Sequence, residues 1–459
     1  MKTLHLTNYW HDTSGGIARF YSALLDAANR HGQEMRLVVP SDETRVQEVG
    51  KFGRIYHVAA PHAPLNSRYR VLYPTQFLRA GSPLQRILEQ ERPDLVEICD
   101  KYSLNYLGTV LRLGLLEGLD FKPVVVGQSC ERMDDNFGTY VTSAWLGRAF
   151  ASFYMRWLYF PFFDHHIANS SYTAEELIPA SKGHNVPRGV WVRPPGVDVE
   201  RFSSALRNED ARQKLLERCG GDSDTVLLLY VGRVVPEKNL PLLVELSREL
   251  AAIRGRNYRT LIAGEGIGLE HLKTLALKRG QGRVTFLGHV GDREALASLF
   301  ANCDVFVHPN PREPFGIAPL EAMASGLPLV APNRGGVLSY ANDGNAWLAE
   351  PTPEAFAAAI ASAIEPGTTR QEKLRAAIAT ADSFCWENVT DSLLLLYRDM
   401  HNAAQGLPLE EQPAFFSTCG SPTGSNAVRV VSGAAKRIFS AATRWNMVPT
   451  EREATTDSR

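Results

Sequence analysis

Two pairs of charged residues in this chain have types and spacing suited to one piece of chemistry. Glu313 and Glu321 stand eight positions apart in DVFVHPNPREPFGIAPLEAMASGLPLVA, with Pro314, Phe315 and Gly316 between them. The run DVFVH reads as a buried strand that ends in a Pro-rich loop carrying the first acid. Gly316 then hands the chain to a small-residue helix carrying the second. Arg233 and Lys238 stand five positions apart in YVGRVVPEKNLPLLVE, again after an apolar strand and before a helix. In open α/β sheets, ligands bind outside the carboxyl ends of strands. Two acids at such a place face a ligand with hydroxyl groups to hold. The two cations read either as partners for an anionic ligand or as a loop cap with surface salt bridges.

The elements that must position these residues alternate throughout. Apolar runs LHLTNYW, MRLVVP, DLVEIC, PVVVGQS and HHIANS are interleaved with amphipathic stretches such as IARFYSALLDAANRHG. A second series follows: TVLLLYVGR, YRTLIAGEG, RVTFLGHV, DVFVHP and LPLVAP. Strand and helix in alternation imply α/β architecture with parallel sheets covered by helices, here as two Rossmann-like lobes. A chain of 459 residues suits two domains. The join is expected in RPPGVDVERF, Arg193 to Phe202, giving lobes over 1–198 and 199–384. A closing amphipathic helix is expected over 385–404, and a linker with a basic tail over 405–459.

Composition narrows the classes. With 44% hydrophobic and 22% charged residues the chain can fill two cores, and a net charge of −1 argues against a nucleic-acid binder. Cys99, Cys130, Cys219, Cys303, Cys385 and Cys419 are scattered without C-x-x-C spacing, which fits reduced thiols and no zinc site. MKTLHLTNYWHDTSGG reads as a first strand running into a loop, with no signal peptide indicated. The aromatic run from Trp145 to Phe163 is too short and polar to cross a bilayer. It reads as a helix packed into the first lobe's core or as a membrane-facing helix anchored by Arg148 and Arg156. The tail AVRVVSGAAKRIFSAATRWNMV carries Arg429, Lys436, Arg437 and Arg444 with no acid between Glu411 and Glu451. An interfacial helix against anionic lipid and a mobile basic segment both fit it.

Two glycine pairs follow strands. Gly15 and Gly16 precede a helix, where backbone N–H groups approach phosphate without Cβ interference, although the spacing is not the dinucleotide fingerprint G-x-G-x-x-G. Gly264 and Gly266 lie in IAGEGIG, a strand-to-helix turn. Asp100, Lys101 and Tyr102 end the run DLVEIC and so fall on the ligand side, whereas His165, His166 and His308 read as structural.

Together these segments resemble the retaining glycosyltransferases of the GT-B fold, family 4. The chain is similar to that family in its E-x7-E stretch, its R-x4-K pair, its GG loop, its G-x-G turn and its P-x-G-V-D-x-x-x-F join. The resemblance implies two Rossmann-like lobes with parallel sheets facing an interdomain cleft and a C-terminal helix crossing back to the first lobe. It implies that Arg233 and Lys238 clamp the diphosphate of a nucleotide sugar, where fixed cations stabilise the charge growing on the leaving group. Glu313 would hold sugar hydroxyls with the backbone amides of Phe315, Gly316 and Ile317, and Glu321 would hold the ribose. Gly264 and Gly266 would border base and ribose, and Gly15 and Gly16 the diphosphate. No cofactor and no metal are implied beyond the nucleotide sugar itself.

The segments EICDKYSLNYLG and SCERMD resemble a subgroup of bacterial GDP-mannose-dependent lipid mannosyltransferases that carry S-H-E-R-L-D at the second. The family's His is Cys130 here, and a thiol cannot replace an imidazole's hydrogen bonds. Either the acceptor or sugar contacts at Cys130 fall to Glu131, Arg132 and Asp134, with Asp100, Lys101 and Tyr102 beside them, or the chain works less well on the subgroup's substrate, or a neighbouring residue fills the space of the imidazole. The expectation is a cytoplasmic hexosyltransferase, peripheral on the inner face of the membrane, moving mannose from GDP-mannose to a glycolipid or lipid-linked saccharide. Rival readings are a UDP-sugar-dependent transferase acting on a soluble or polymeric saccharide, a GT-B epimerase or phosphorylase, and a non-catalytic sugar-binding protein.

Overall fold

The central strands are short, continuous apolar runs because helices cover both faces of their sheets, as in parallel α/β architecture. A computed structural model of the chain describes residues 1–10, 15–63, 66–116, 118–140, 143–182, 190–253, 255–280 and 282–407. The basic tail expected over 405–459 lies almost wholly outside the described residues. Two units are distinguished: one takes Met1–Pro195 and resumes at Glu387, and the other holds Gly196–Trp386.

The first unit contains β1 (Lys2–Thr7), β2 (Glu34–Ser41), β3 (Arg45–Val49), β4 (Gly53–Ala59), the hairpin β5 (His62–Ala63) and β6 (Asn66–Arg70), then β7 (Leu95–Cys99), β8 (Val124–Ser129), β9 (His165–Ala168) and β10 (Val190–Val192). Its main sheet runs β10-β9-β8-β7-β1-β2-β4-β3, parallel except for β3 against β4. Its helices are α1 (Gly16–Arg30), α2 (Pro83–Glu91), α3 (Asn105–Leu113), α4 (Met133–Tyr140), α5 (Ala144–Tyr154) and α6 (Ser171–Ser181). On α1, Phe20, Tyr21, Leu24, Leu25 and Ala28 recur at helical spacing and are buried. Past α5, Met155–Tyr159 form a π-helical turn and Phe160–Phe162 a 3-10 turn.

The second unit contains β11 (Thr225–Val231), β12 (Asn257–Ala263), β13 (Val284–Gly288), β14 (Val305–Val307), β15 (Leu329–Pro332) and β16 (Trp347–Ala349) in an all-parallel sheet ordered β13-β12-β11-β14-β15-β16. Around it lie α7 (Glu209–Cys219), α8 (Pro241–Ala251), α9 (Leu269–Arg279), α10 (Arg293–Asn302), α11 (Ile317–Ala324), α12 (Pro353–Ile364) and α13 (Thr368–Ser383). The last of the described helices, α14 (Trp386–Ala404), belongs to the first unit from Glu387 onward. It buries Leu393, Leu396, Tyr397 and Met400 there. Its Tyr397 hydroxyl donates to Glu97 of β7, which also accepts from the Tyr21 hydroxyl at 2.9 Å and lies 3.1 Å from His5 Nδ1. Glu97 is fully buried, so these partners replace the water it gave up.

Each sheet has one place where strand order reverses. In the first unit it lies between β1 and β7, and in the second between β11 and β14, because the next strands in sequence pack on the far side. Loops leaving two such strands diverge and open a crevice at the carboxyl ends. Among the described residues no helix is long and apolar enough to cross a membrane.

Candidate active site

At the reversal in the second unit, the loop after β11 carries Arg233 and Lys238 and the loop after β14 carries Glu313. They meet. Lys238 Nζ donates to both Glu313 oxygens, at 2.9 and 2.7 Å, although 75 residues separate them. Asn310 Nδ2 adds a third bond at 3.2 Å, and His308 Nε2 stands 3.7 Å away. Glu313 is only 9% exposed. Burial alone would push its carboxyl up, but the Lys238 ammonium and the donors around it outweigh that and hold it at about 2. Burial lowers His308 to about 4 despite the nearby carboxylate, so both groups keep fixed states near neutrality: an anion and a neutral imidazole.

The backbone that presents Glu313 is held from three sides. Gly336 N–H donates to Glu313 O at 2.7 Å, and a Cβ on Gly336 would meet Pro314 O at 1.9 Å. The Tyr340 hydroxyl reaches Phe315 O and Gly316 O at 3.1 and 2.5 Å. Asn239, in the left-handed region, ties its side chain to Pro309 O at 3.0 Å. The side chain of Phe315 is core, packed edge-on against Tyr340 at 5.0 Å. What this residue, Gly316 and Ile317 present at the start of α11 is therefore backbone N–H. α11 begins at Gly316 with no side-chain cap, as do α8, α9 and α13, whereas Asn208, Asp292 and Thr352 cap α7, α10 and α12. An uncapped helix start leaves N–H donors and the positive dipole end for an anion or a polar ligand.

Arg233 is more open, with 57% of its side chain exposed and Glu237 at 3.7 Å. Its loop is shaped by Gly264 and Gly266. Val234 N–H donates to Glu265 O at 2.8 Å, and Cβ atoms at the two glycines would stand 1.8 Å from Gly232 O and 2.2 Å from Val234 O. Those glycines are needed where two loop backbones touch. Glu321 sits one turn into α11, buried, and accepts from Arg293 Nη1 at 3.0 Å. The Arg293 guanidinium also lies 4.8 Å over the Phe202 ring. Arg293, Asn310, Tyr340 and the Gly335–Gly336 turn were missed in the sequence reading. Arg293 did leave a signal, since a cation in the first turn of a helix opposes the dipole.

In the first unit, Gly15 starts α1 without a side-chain cap, and its φ of −80° suits any residue. A Cβ there would meet nothing within 4 Å, so packing inside the chain gives no reason for this glycine. At the end of β7, Asp100 Oδ1 accepts from the N–H groups of Tyr102, Ser103 and Leu104 at 2.6–3.0 Å, and Oδ2 from Asn8 Nδ2 at 3.2 Å. Its side chain therefore closes the turn into α3. Lys101 is buried, donating to Glu176 Oε2 at 2.6 Å and Glu131 O at 2.5 Å. Glu176 also accepts from Asp134 N–H at 2.9 Å, which fixes the start of α4. Arg132 pairs with Asp134 at 2.7 Å and stacks on Tyr172 at 4.4 Å. Glu131 accepts from the Tyr9 hydroxyl at 2.8 Å and from Asn136 at 3.1 Å, and Asn136 also reaches the Tyr102 hydroxyl at 3.0 Å. Cys130 Sγ lies 3.4 Å from Cys99 Sγ, both as free thiols. His165 and His166 are buried at the start of β9, the latter stacked on Phe160.

Residues 14–201 match the model of Glycosyltransferase Family 4, and residues 209–381 that of Glycosyl transferases group 1. A GDP-mannose-dependent alpha-(1-6)-phosphatidylinositol dimannoside mannosyltransferase of Mycobacterium tuberculosis is 27% identical over 400 residues, covering 86% of this chain and 95% of the relative. A D-inositol 3-phosphate glycosyltransferase of Geodermatophilus obscurus is 36% identical over 248 residues, 51% of this chain and 52% of the relative. Among solved structures, a sucrose-phosphate synthase from Thermosynechococcus elongatus superposes with a TM-score of 0.68 at 20% identity, covering 88% of this chain and 100% of that one.

Proposed function

Because the chain belongs to the group 1, family 4 glycosyltransferases and is a hexosyltransferase of the GT-B fold, we propose that it moves mannose from GDP-mannose to a hydroxyl of a glycolipid or lipid-linked saccharide, with retention of configuration. The observation that carries this reading is the Lys238–Glu313 pair beside the uncapped start of α11. A carboxylate held at about 2 is an acceptor for sugar hydroxyls at neutral pH and not a general acid. Mannose and the lipid acceptor are supported by the mycobacterial relative, which acts on a phosphatidylinositol dimannoside by its name.

In this reading the chain's residues work as follows. Arg233 and Lys238 face the diphosphate, and the N–H groups of Phe315, Gly316 and Ile317 add donors. As the bond between the sugar and the phosphate breaks, negative charge grows on the leaving oxygen, and these fixed groups stabilise it more than they stabilise the bound donor. The acceptor oxygen attacks from the face the phosphate leaves, and its proton passes to the leaving phosphate oxygen. No pair of acids at glycosidase spacing is then required. Glu321, oriented by Arg293, takes the ribose hydroxyls. In the first unit, the opening at Gly15 gives a ligand close access to backbone. Glu131, steadied by Tyr9 and Asn136, and Tyr102, half-exposed, are the acceptor-facing candidates, with Arg132, Asp134 and Cys130 beside them. Asp100 and Lys101 act from behind them as positioning groups.

A panel of GDP, UDP, ADP and dTDP tests the donor, since the nucleotide that binds the native state most tightly raises its melting temperature at the lowest concentration. GDP in that place supports the reading, and UDP would move it to the UDP-sugar alternative. Transfer of radiolabelled mannose into a lipid extract tests the acceptor. Label found only in soluble saccharide would remove the lipid.

A further inference from the structure

Along α5 and the π-helical turn after it, large apolar side chains point outward in a stripe. Leu146, Phe150, Phe153 and Trp157 follow one another at spacings of four, three and four, with Trp145 and Leu158 beside them. They are between 41% and 75% exposed. The opposite side of the same segment is anchored: Ala151, Tyr154, Met155, Tyr159 and Phe160 are buried in the first unit's core. The exposed side is therefore a fixed surface, and a contiguous apolar stripe of this size marks an interaction site.

Charge distinguishes the occupants. From Ser143 to Phe163 there is no acid, while Arg148 is exposed and Arg156 lies 5.4 Å over the Trp157 ring. A second copy docked by a two-fold axis would set this stripe on itself and bring arginine toward arginine with no carboxylate on the segment to separate them. Anionic phosphates would complement both. Tryptophans at the two ends of the stripe suit the headgroup level of a bilayer, and the segment is too short to cross one.

We propose that this face docks the first unit on an anionic lipid bilayer, with the axis of α5 in the membrane plane, the stripe among the upper acyl chains and Arg148 and Arg156 at the phosphates. The proposal shares a lipid setting with the proposed function but does not need its acceptor, so acceptor-free vesicles test it alone. In flotation of the full chain, binding to phosphatidylcholine vesicles containing phosphatidylglycerol is expected, with weaker binding to phosphatidylcholine alone. The exposed double variant Phe150→Ser/Phe153→Ser should lower that binding at least about tenfold, and Arg148→Glu should lower it selectively on the anionic vesicles. Brominated lipid should quench wild-type fluorescence more than that of Trp145→Phe/Trp157→Phe, a readout that does not depend on the serine variant folding. Equal flotation of wild type and the serine variant, or equal quenching with and without the two tryptophans, would overturn the proposal. So would a wild-type dimer in light scattering that the serine variant converts to monomer.

Discussion

Replacing Lys238 with Met removes the cation that holds Glu313 ionised while keeping most of the side chain's volume. The carboxyl of Glu313 lies at about 2 against an ordinary 4.5, and each tenfold change in proton affinity is worth about 1.4 kcal/mol. Lys238, His308 and Asn310 together, net of the cost of burying the carboxylate, therefore contribute about 3 kcal/mol to the second unit at neutral pH. Because the folded value is the depressed one, that contribution is complete above pH 4.5 and is lost as the pH falls from there through about 2. Lys238→Met should cost about 3 kcal/mol at pH 7, since a buried carboxylate is left without its partner. Glu313→Gln in the same chain should recover most of that loss. Hydrogen exchange of peptides spanning residues 305–324 reports it locally: roughly a hundredfold faster exchange in the single variant and near wild-type exchange in the double. Transfer should stay abolished in both, which separates stability from catalysis. If the two substitutions add without coupling, or if Lys238→Met exchanges like wild type, the argument for a fixed buried ion pair fails.

Gly264→Ala and Gly266→Ala place methyl groups against the carbonyl oxygens of Gly232 and Val234. Each should lower stability by more than about 2 kcal/mol and reduce kcat/KM by displacing the Arg233–Lys238 loop, as thermal melts and initial rates will show. Arg293→Ala should raise the KM for the nucleotide sugar about tenfold or more with a smaller change in kcat. Arg293→Lys should not rescue it, because an ammonium cannot reproduce the planar stack on Phe202; an unchanged KM would remove Arg293 from the site. Tyr397→Phe deletes one donor to buried Glu97 and should cost about 1–2 kcal/mol in urea unfolding while leaving nucleotide affinity unchanged.

The alternation of strand and helix, the strand-end positions of Arg233, Lys238 and Glu313, and the helical position of Glu321 were legible because all are local patterns. The Lys238–Glu313 contact was not, since two residues 75 apart meet only because strand order reverses between β11 and β14. Lys101 shows a different limit. A lysine at a strand's carboxyl end looks alike in sequence whether it faces a ligand or turns inward, and Glu176 on α6 decided the matter. The edge strand β3 and the hairpin β5–β6 were passed over because they are short and polar, with little apolar periodicity to find. The run from Trp145 to Phe163 gave two readings because composition cannot separate a face packed on protein from one presented outward. The structure shows a segment with both.

Tyr397 and Glu97 are 300 residues apart, and that separation orders events at the ribosome. The stretch Gly196–Trp386 emerges as one uninterrupted piece and holds its whole sheet, so it can finish folding as soon as it is free. The amino-terminal unit is synthesised first and completed last. Until α14 emerges, the groove that takes Leu393, Leu396, Tyr397 and Met400 stays uncovered and the Glu97 carboxylate lacks one of its donors. A nascent chain stalled before residue 387 would thus expose an apolar seam on an otherwise assembled sheet, a natural target for chaperones, and synthesis of α14 is the step that withdraws it.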